Sequence, residues 1–85
     1  MNKAIKKFNE EWKKKEVELR RLGIPETLLN RARRFGEEYI LGVASRFFSE
    51  LPPSKREEIE QYLVNDAIMM AERWVKGIMK LTEVI

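Results

Sequence analysis

The 85-residue sequence contains no cysteine and no histidine. Without cysteine, the chain has no disulfide framework, no thiolate zinc site and no cysteine nucleophile. Without histidine, it lacks the most common general base and the most common metal ligand. The four glycines are scattered along the chain, so the sequence contains no glycine-rich phosphate loop. These absences predict a protein that is not an enzyme and that uses no cofactor.

Long apolar runs are also absent. The longest uncharged apolar run covers residues 39–45, whereas a membrane-spanning helix needs about 20 such residues. The N-terminal lysines are not followed by a continuous apolar run, so no secretory signal is predicted. Together with the lack of cysteine, this pattern predicts a cytoplasmic protein without a transmembrane segment.

Charged residues are abundant, at 36% of the chain, and apolar residues make up 44%. The apolar fraction is sufficient for a core, and the length predicts one domain over residues 1–85. High contents of lysine, glutamate and arginine with a single glutamine resemble the composition of thermophile proteins.

Two sets of helix breakers divide the chain into three segments. Gly23 and Pro25 belong to the first set, and Pro52 and Pro53 form the second. None of the segments alternates like a strand, and all three have helical spacing. We therefore predict helices over residues about 3–22, about 25–50 and about 54–84.

Local signals refine the ends of these helices. Gly23 is placed to end the first helix in a left-handed conformation. Pro25 is expected in the first turn of the second helix. Ser54 and Glu57 match a capping box, with Ser54 as the N-cap of the third helix. Within the second helix, Gly36 and Gly42 are unfavourable unless a neighbouring helix approaches closely.

Apolar residues recur at helical spacing in every segment, which predicts a core between three helices. The predicted core stripe of the first helix consists of Ile5, Phe8, Trp12, Leu19 and Leu22, with Lys15 as its one polar position. The second helix presents Leu28, Leu29, Ala32, Phe35, Gly36, Tyr39, Ile40, Val43 and Phe47. Three helices with short connections favour an all-α fold, specifically a three-helix antiparallel bundle with a long C-terminal helix.

The third helix is apolar around an arc of roughly 200°, more than two neighbouring helices cover. The arc comprises Ile59, Leu63, Val64, Ala67, Ile68, Met70, Ala71, Trp74, Val75, Ile78, Met79, Leu81 and Ile85. A small chain without disulfides or metal also gains stability from association. We therefore expect a homo-oligomer, or a complex with a partner protein, with contacts at Leu41, Phe48, Met69, Met79, Leu81 and Ile85.

Positive charge is concentrated in the first part of the chain. Residues 1–34 carry eleven Lys or Arg against five Glu, whereas residues 35–85 carry six against nine acidic residues. Such a basic helix face is able to neutralise nucleic-acid phosphates. The candidate contacts to RNA or DNA are Lys3, Lys6, Lys7, Lys13, Lys14, Arg20 and Arg21. No sequence-reading motif accompanies them, so only non-specific binding is predicted.

Two other interpretations of the first helix remain open. Glu10 with Lys14, Glu11 with Lys15 and Glu16 with Arg20 are i,i+4 pairs that fit a solvated, salt-bridged face. Alternatively, Phe8 and Trp12 beside the lysines fit a helix lying on a membrane surface.

Carboxylates cluster at Glu37, Glu38, Glu57, Glu58, Glu60 and Asp66, but no calcium-loop spacing accompanies them. Helix capping and the helix dipole explain Glu57 and Glu58, so no metal site is predicted. The sequence thus predicts a non-enzymatic helical interaction module that acts through self-association or partner binding. The alternative is a basic accessory protein on RNA or DNA.

Overall fold

The computed structural model of the chain describes residues 2–47, 50 and 52–83, without the side chains of residues 2, 43–45, 47 and 83. Helix α1 spans Asn2–Arg21, α2 spans Glu26–Phe47 and α3 spans Arg56–Glu83, preceded by a 3₁₀ turn over Pro53–Lys55. No strand occurs in the part of the chain that the structure describes. The predicted all-α class is confirmed, and the helices form an elongated bundle with extents of 47 × 21 × 15 Å.

The turn between α1 and α2 has the geometry predicted from Gly23. The φ angle of Gly23 is +89°, in the left-handed region that favours glycine. The Ile24 N–H donates to the Leu19 carbonyl at 3.2 Å, and the Gly23 N–H donates to the Arg20 carbonyl at 3.0 Å. These two bonds define a Schellman motif, and the buried Ile24 and Leu19 side chains supply its hydrophobic contact.

The starts of α2 and α3 lie one and two residues later than predicted. Pro25 precedes α2, and its carbonyl accepts the Leu28 and Leu29 N–H groups at 3.0 and 3.1 Å. Ser54 is not the N-cap of α3, because it lies inside the 3₁₀ turn that leads into the helix. Pro52 caps that turn without a side-chain hydrogen bond. The proline pair, with its fixed φ angles, starts the helical conformation earlier than the capping-box pattern predicts.

The core lies where the three helices meet, and most of the predicted apolar positions fill it. Its buried hydrophobic residues are Ala4, Phe8, Trp12, Leu19, Ile24, Leu29, Ala32, Ile40, Leu63, Val64, Ala67, Ala71 and Val75. Leu22 is the exception on α1, since it follows the end of the helix and is 66% exposed. The side chains of Val43 and Phe47 lie outside the described residues.

Gly36 allows α1 and α2 to approach each other closely. A Cβ atom at Gly36 would overlap the Phe8 ring, which is completely buried. The ring in turn stacks on Trp12 with centroids 6.0 Å apart. The predicted close approach is therefore confirmed at Gly36. At Gly42, by contrast, a Cβ atom would meet nothing within 4 Å among the described residues.

Helix α3 is one uninterrupted helix with both other helices packed on it. Its N-terminal half contacts α1 where the Gln61 amide donates to Glu11 at 3.4 Å. On another side, the Phe35 ring of α2 stacks on Trp74 with centroids 6.1 Å apart. The same helix pair is joined by a hydrogen bond from the Tyr39 hydroxyl to Asp66 Oδ2.

Candidate interaction surfaces

Three of the residues predicted to form a protein interface lie exposed on the bundle. Leu41 on α2 is 45% exposed, and Met69 and Leu81 on α3 are 57% and 65% exposed. Met79 is only partly exposed, because it packs against the core. Phe48 and Ile85 lie outside the described residues. Met69 and Leu81 are about 18 Å apart along the axis of α3, so the structure does not gather these side chains into one compact patch.

Sequence reasoning missed the most exposed large apolar side chain in the described part of the chain. Tyr62 is 75% exposed, and Met70 is 36% exposed on the same helix. A signal for Tyr62 was present, because it lies seven residues before Met69 and so occupies the same column of the helix. Val17 and Leu22, at 47% and 66%, are further exposed apolar side chains near the end of α1.

The candidate nucleic-acid residues on α1 are all exposed, as a solvated face requires: Lys3, Lys6, Lys7, Lys13, Lys14, Arg20 and Arg21. Acidic side chains lie close to part of this face. Lys3, Lys6 and Lys7 line a shallow surface depression together with Glu10, Glu57 and Glu60. The neighbouring carboxylates weaken the positive potential at this end of α1.

Arg20 is engaged in contacts within the chain. Its guanidinium donates to Glu16 at 3.1 Å and to both oxygens of Glu26 at 3.0 and 2.8 Å. The hydrogen bonds with Arg20 lower the pKa of Glu26, and those with Glu26 raise the pKa of Arg20. The predicted Glu16–Arg20 pair is thus confirmed. Arg20 also joins the end of α1 to the first turn of α2.

Lys15 interrupts the apolar stripe of α1 because it pairs with α3. Its ammonium lies 3.4 Å from Glu72 and 3.4 Å from Glu18, and Glu72 also pairs with Lys76 at 2.9 Å. Partial burial alone would raise the pKa of Glu72, but the hydrogen bond from Lys76 and the charge of Lys15 outweigh it and lower the pKa. The predicted pairing with Glu11 is absent from the described ion pairs, since Lys15 reaches across to α3 instead.

Tyr39 fixes the contact between α2 and the middle of α3. Its hydroxyl donates to Asp66 Oδ2, and this bond, with partial burial, raises the pKa of Tyr39 to about 12. The protonated phenol is the hydrogen-bond donor, and the raised pKa keeps it protonated to a higher pH than a free tyrosine. Asp66 Oδ1 remains able to accept a further hydrogen bond.

A membrane-surface role for Phe8 and Trp12 is wrong for this fold. Both rings are fully buried in the core, so neither is free to enter a lipid interface. Burial leaves two polar atoms near them, Trp12 Nε1 and Asn9 Oδ1, without a hydrogen-bond partner among the described residues.

The carboxylate clusters do not converge. Within residues 2–47, 50 and 52–83, no group of three or more Asp or Glu side chains is placed to hold a metal ion. None of the helices in the same residues combines the length and the apolar character required to cross a membrane. No protein-family model, no curated protein and no solved structure matches the chain.

Proposed function

We propose that this protein is a non-enzymatic helical module that self-associates through the outward-facing apolar side chains of α2 and α3. The observation that supports this most directly is the exposure of Leu41, Tyr62, Met69 and Leu81. Both helices also bury apolar residues in the core among the described residues. Tyr62 and Met69 lie seven residues apart in one column of α3, the spacing with which one helix packs on another.

The proposal includes an antiparallel arrangement of neighbouring helices, with α2 running against both α1 and α3. The order of the contacts supports it. Along α2, Phe35 precedes Tyr39, whereas their partners on α3 occur in the reverse order, Trp74 after Asp66. The short Schellman turn between α1 and α2 likewise favours antiparallel neighbours. In this arrangement α3 keeps one long side free for a further helix.

Methionine at this surface is consistent with a protein interface. Met69 and Met70 are adjacent on α3, and both are exposed. Methionine side chains are flexible and polarizable, and they adapt to the shape of a partner surface. A cytoplasmic location is part of the proposal and rests on the absence of cysteine from the sequence.

Polar replacement of two surface residues tests the proposal. The double variant Leu41→Gln with Met69→Gln removes apolar contact area at exposed positions and leaves the core unchanged. Val17→Gln is the matched control, since Val17 is 47% exposed, close to the 45% of Leu41, and lies on α1. Sedimentation velocity over a range of protein concentrations measures the association.

We expect the double variant to keep its helical circular dichroism and to dissociate at concentrations where the control remains associated. An unchanged sedimentation coefficient in the double variant would contradict the assignment of the surface to α2 and α3. A wild-type chain that sediments only as the 10.1 kDa species would contradict self-association itself.

A second candidate function is non-specific binding of RNA or DNA by the basic face of α1. It is favoured by Lys3, Lys6, Lys7, Lys13 and Lys14, which are exposed and form no ion pair among the described residues. Binding to phosphates through released counterions weakens steeply with salt. Fluorescence anisotropy with a labelled duplex at low and high salt measures it, and no binding at low salt would eliminate this candidate.

A further inference from the structure

Helix α3 carries an outward-facing strip that the rest of the described chain leaves uncovered. At about 100° per residue, its members fall within an arc of about 80°. The members of this α3 strip are Tyr62, Asp66, Met69, Arg73, Gly77 and Lys80. All except the half-buried Asp66 are exposed. Their separations of three and four residues are typical of a seam between two packed helices.

Gly77 is the unusual member of the α3 strip. It lies in the interior of a long helix, where glycine is less favourable than alanine. A Cβ atom at Gly77 would meet nothing within 4 Å among the described residues, in contrast to Gly36. No described contact within the chain therefore requires glycine there. An exposed glycine lets a group from outside the chain approach the helix backbone closely.

The charges along α3 change sign from its first half to its second. Glu58 and Asp66 lie in the first half, and Arg73 and Lys80 lie in the second. Neither Arg73 nor Lys80 forms an ion pair within the described residues. A helix with this order of charges is complementary to a second copy of itself when the two copies run antiparallel.

We propose that α3 pairs with α3 of a second copy of this chain, antiparallel, about a two-fold axis that passes between Met69 and Met70. In this register Tyr62 packs over Gly77 of the partner subunit. The proposal rests on the self-association proposed above and specifies which surface forms it. The two-fold axis makes every contact occur twice, as in other isologous dimers.

The same register matches opposite charges. It sets Asp66 of the α3 strip opposite Arg73 of the partner subunit. It also sets Glu58, which lies one turn before Tyr62, beside Lys80 of the partner subunit. Asp66 is held in position by the Tyr39 hydroxyl on Oδ2, so its Oδ1 is available to Arg73. At the axis, Met69 lies opposite Met70 of the partner subunit. This one contact covers the Tyr62 ring, fills the open space at Gly77, and pairs the two cations Arg73 and Lys80.

Disulfide trapping tests the register. Because the sequence contains no cysteine, only the introduced thiols are able to form a disulfide. We would prepare Tyr62→Cys and Gly77→Cys separately and oxidise each alone and both mixed in equal amounts. In the proposed dimer, position 62 lies beside position 77 of the partner subunit. Two copies of position 62 are about 22 Å apart along the axis. Cross-linking then predominates in the mixture and is weak in either variant alone.

Cross-linking of Tyr62→Cys alone, equal cross-linking in all three samples, or none in the mixture would overturn the register. Circular dichroism of the reduced variants verifies that the helices are intact. Both positions are exposed, so neither change disturbs the core.

A second experiment, without cross-linking, tests whether the dimer requires the open space at Gly77. In Gly77→Gln, the new side chain meets open space in the free chain and occupies the position of the Tyr62 ring in the dimer. We expect higher thermal stability of the dissociated chain and at least a tenfold weaker dimer. Val17→Gln, at a position 47% exposed on α1, is the control and should leave the dimer unchanged.

The outcomes separate the two proposals. A wild-type chain that never dimerises removes the proposed function and this inference together. If the wild-type chain dimerises while Gly77→Gln dimerises equally well, only the pairing of α3 with α3 is wrong, and the self-association of the module remains.

Discussion

At the level of single residues, the fold depends on a few positions where a side chain or its absence is required. Gly36 is one, because the Phe8 ring occupies the space where a Cβ atom would lie. Gly23 is another, because its φ angle of +89° belongs to the left-handed region. Lys15 is a third, since its charge is matched by Glu72 on α3.

Gly36→Ala is expected to destabilise the protein by about 1–3 kcal/mol, because the buried Phe8 ring has to move. Gly42→Ala is the control, since a Cβ atom there meets nothing within 4 Å among the residues that the structure describes. That change should instead raise the free energy of unfolding by up to about 1 kcal/mol. Urea denaturation measures both variants, and equal effects of the two changes would contradict the close packing at Gly36.

Glu72→Gln is expected to lower the free energy of unfolding by about 0.5–1 kcal/mol at pH 7. The pKa of Glu72 is lowered in the folded state, so its stabilisation is present above the ordinary value of 4.5. The stabilisation is lost as the pH falls through the lower folded pKa. The difference between wild type and variant should therefore shrink in acid. Chemical denaturation at neutral and acid pH measures this, and a constant difference would show that Lys15 and Lys76 do not stabilise the carboxylate.

At the level of the elements, helical spacing was sufficient to predict three helices with the right order and nearly the right bounds. Apolar residues three and four apart can only be buried together in a helix, and this constraint is local. The end of α1 at Gly23 was also predictable, because few residues other than glycine adopt a positive φ angle. The start of α3 was not, because Pro52 and Pro53 set the backbone before Ser54 is reached.

The docking of α1 on the other two helices depended on contacts between distant parts of the sequence. Trp12 is completely buried, although its neighbours Lys13 and Lys14 are exposed. The sequence placed Trp12 on the apolar stripe. It left open whether that stripe packs on the bundle or lies on a membrane surface, because both uses have the same periodicity.

Trp12→Ala should destabilise the protein by about 3–5 kcal/mol, because it removes the largest fully buried side chain. A loss of this size is a large part of the stability of a small domain. Val17→Ala, at a position 47% exposed on the same helix, should change stability by less than about 0.5 kcal/mol. Thermal unfolding followed by far-UV circular dichroism measures both, and a mild effect of Trp12→Ala would mean that α1 is not part of the cooperative unit.

At the level of the whole molecule, exposure was harder to predict than burial. Met79 and Leu81 lie on the same apolar arc in the sequence, yet Met79 packs against the core and Leu81 is 65% exposed. Which apolar positions remain outside depends on the direction from which each helix approaches, and no periodicity encodes that direction. The column that Tyr62 shares with Met69 also contains Lys55 and Lys76, so this column gave only a weak signal for an apolar surface.

Sedimentation equilibrium of the unmodified chain, from low micromolar to sub-millimolar concentration, tests most directly whether the exposed face of α3 is an interface. We expect the average mass to rise from the 10.1 kDa of one chain toward twice that value as the concentration increases. If the chains associate within this concentration range, the unfolding temperature should also rise as the protein concentration increases. An average mass that stays at that of one chain over the whole range would contradict both the self-associating module and the pairing of α3 with α3.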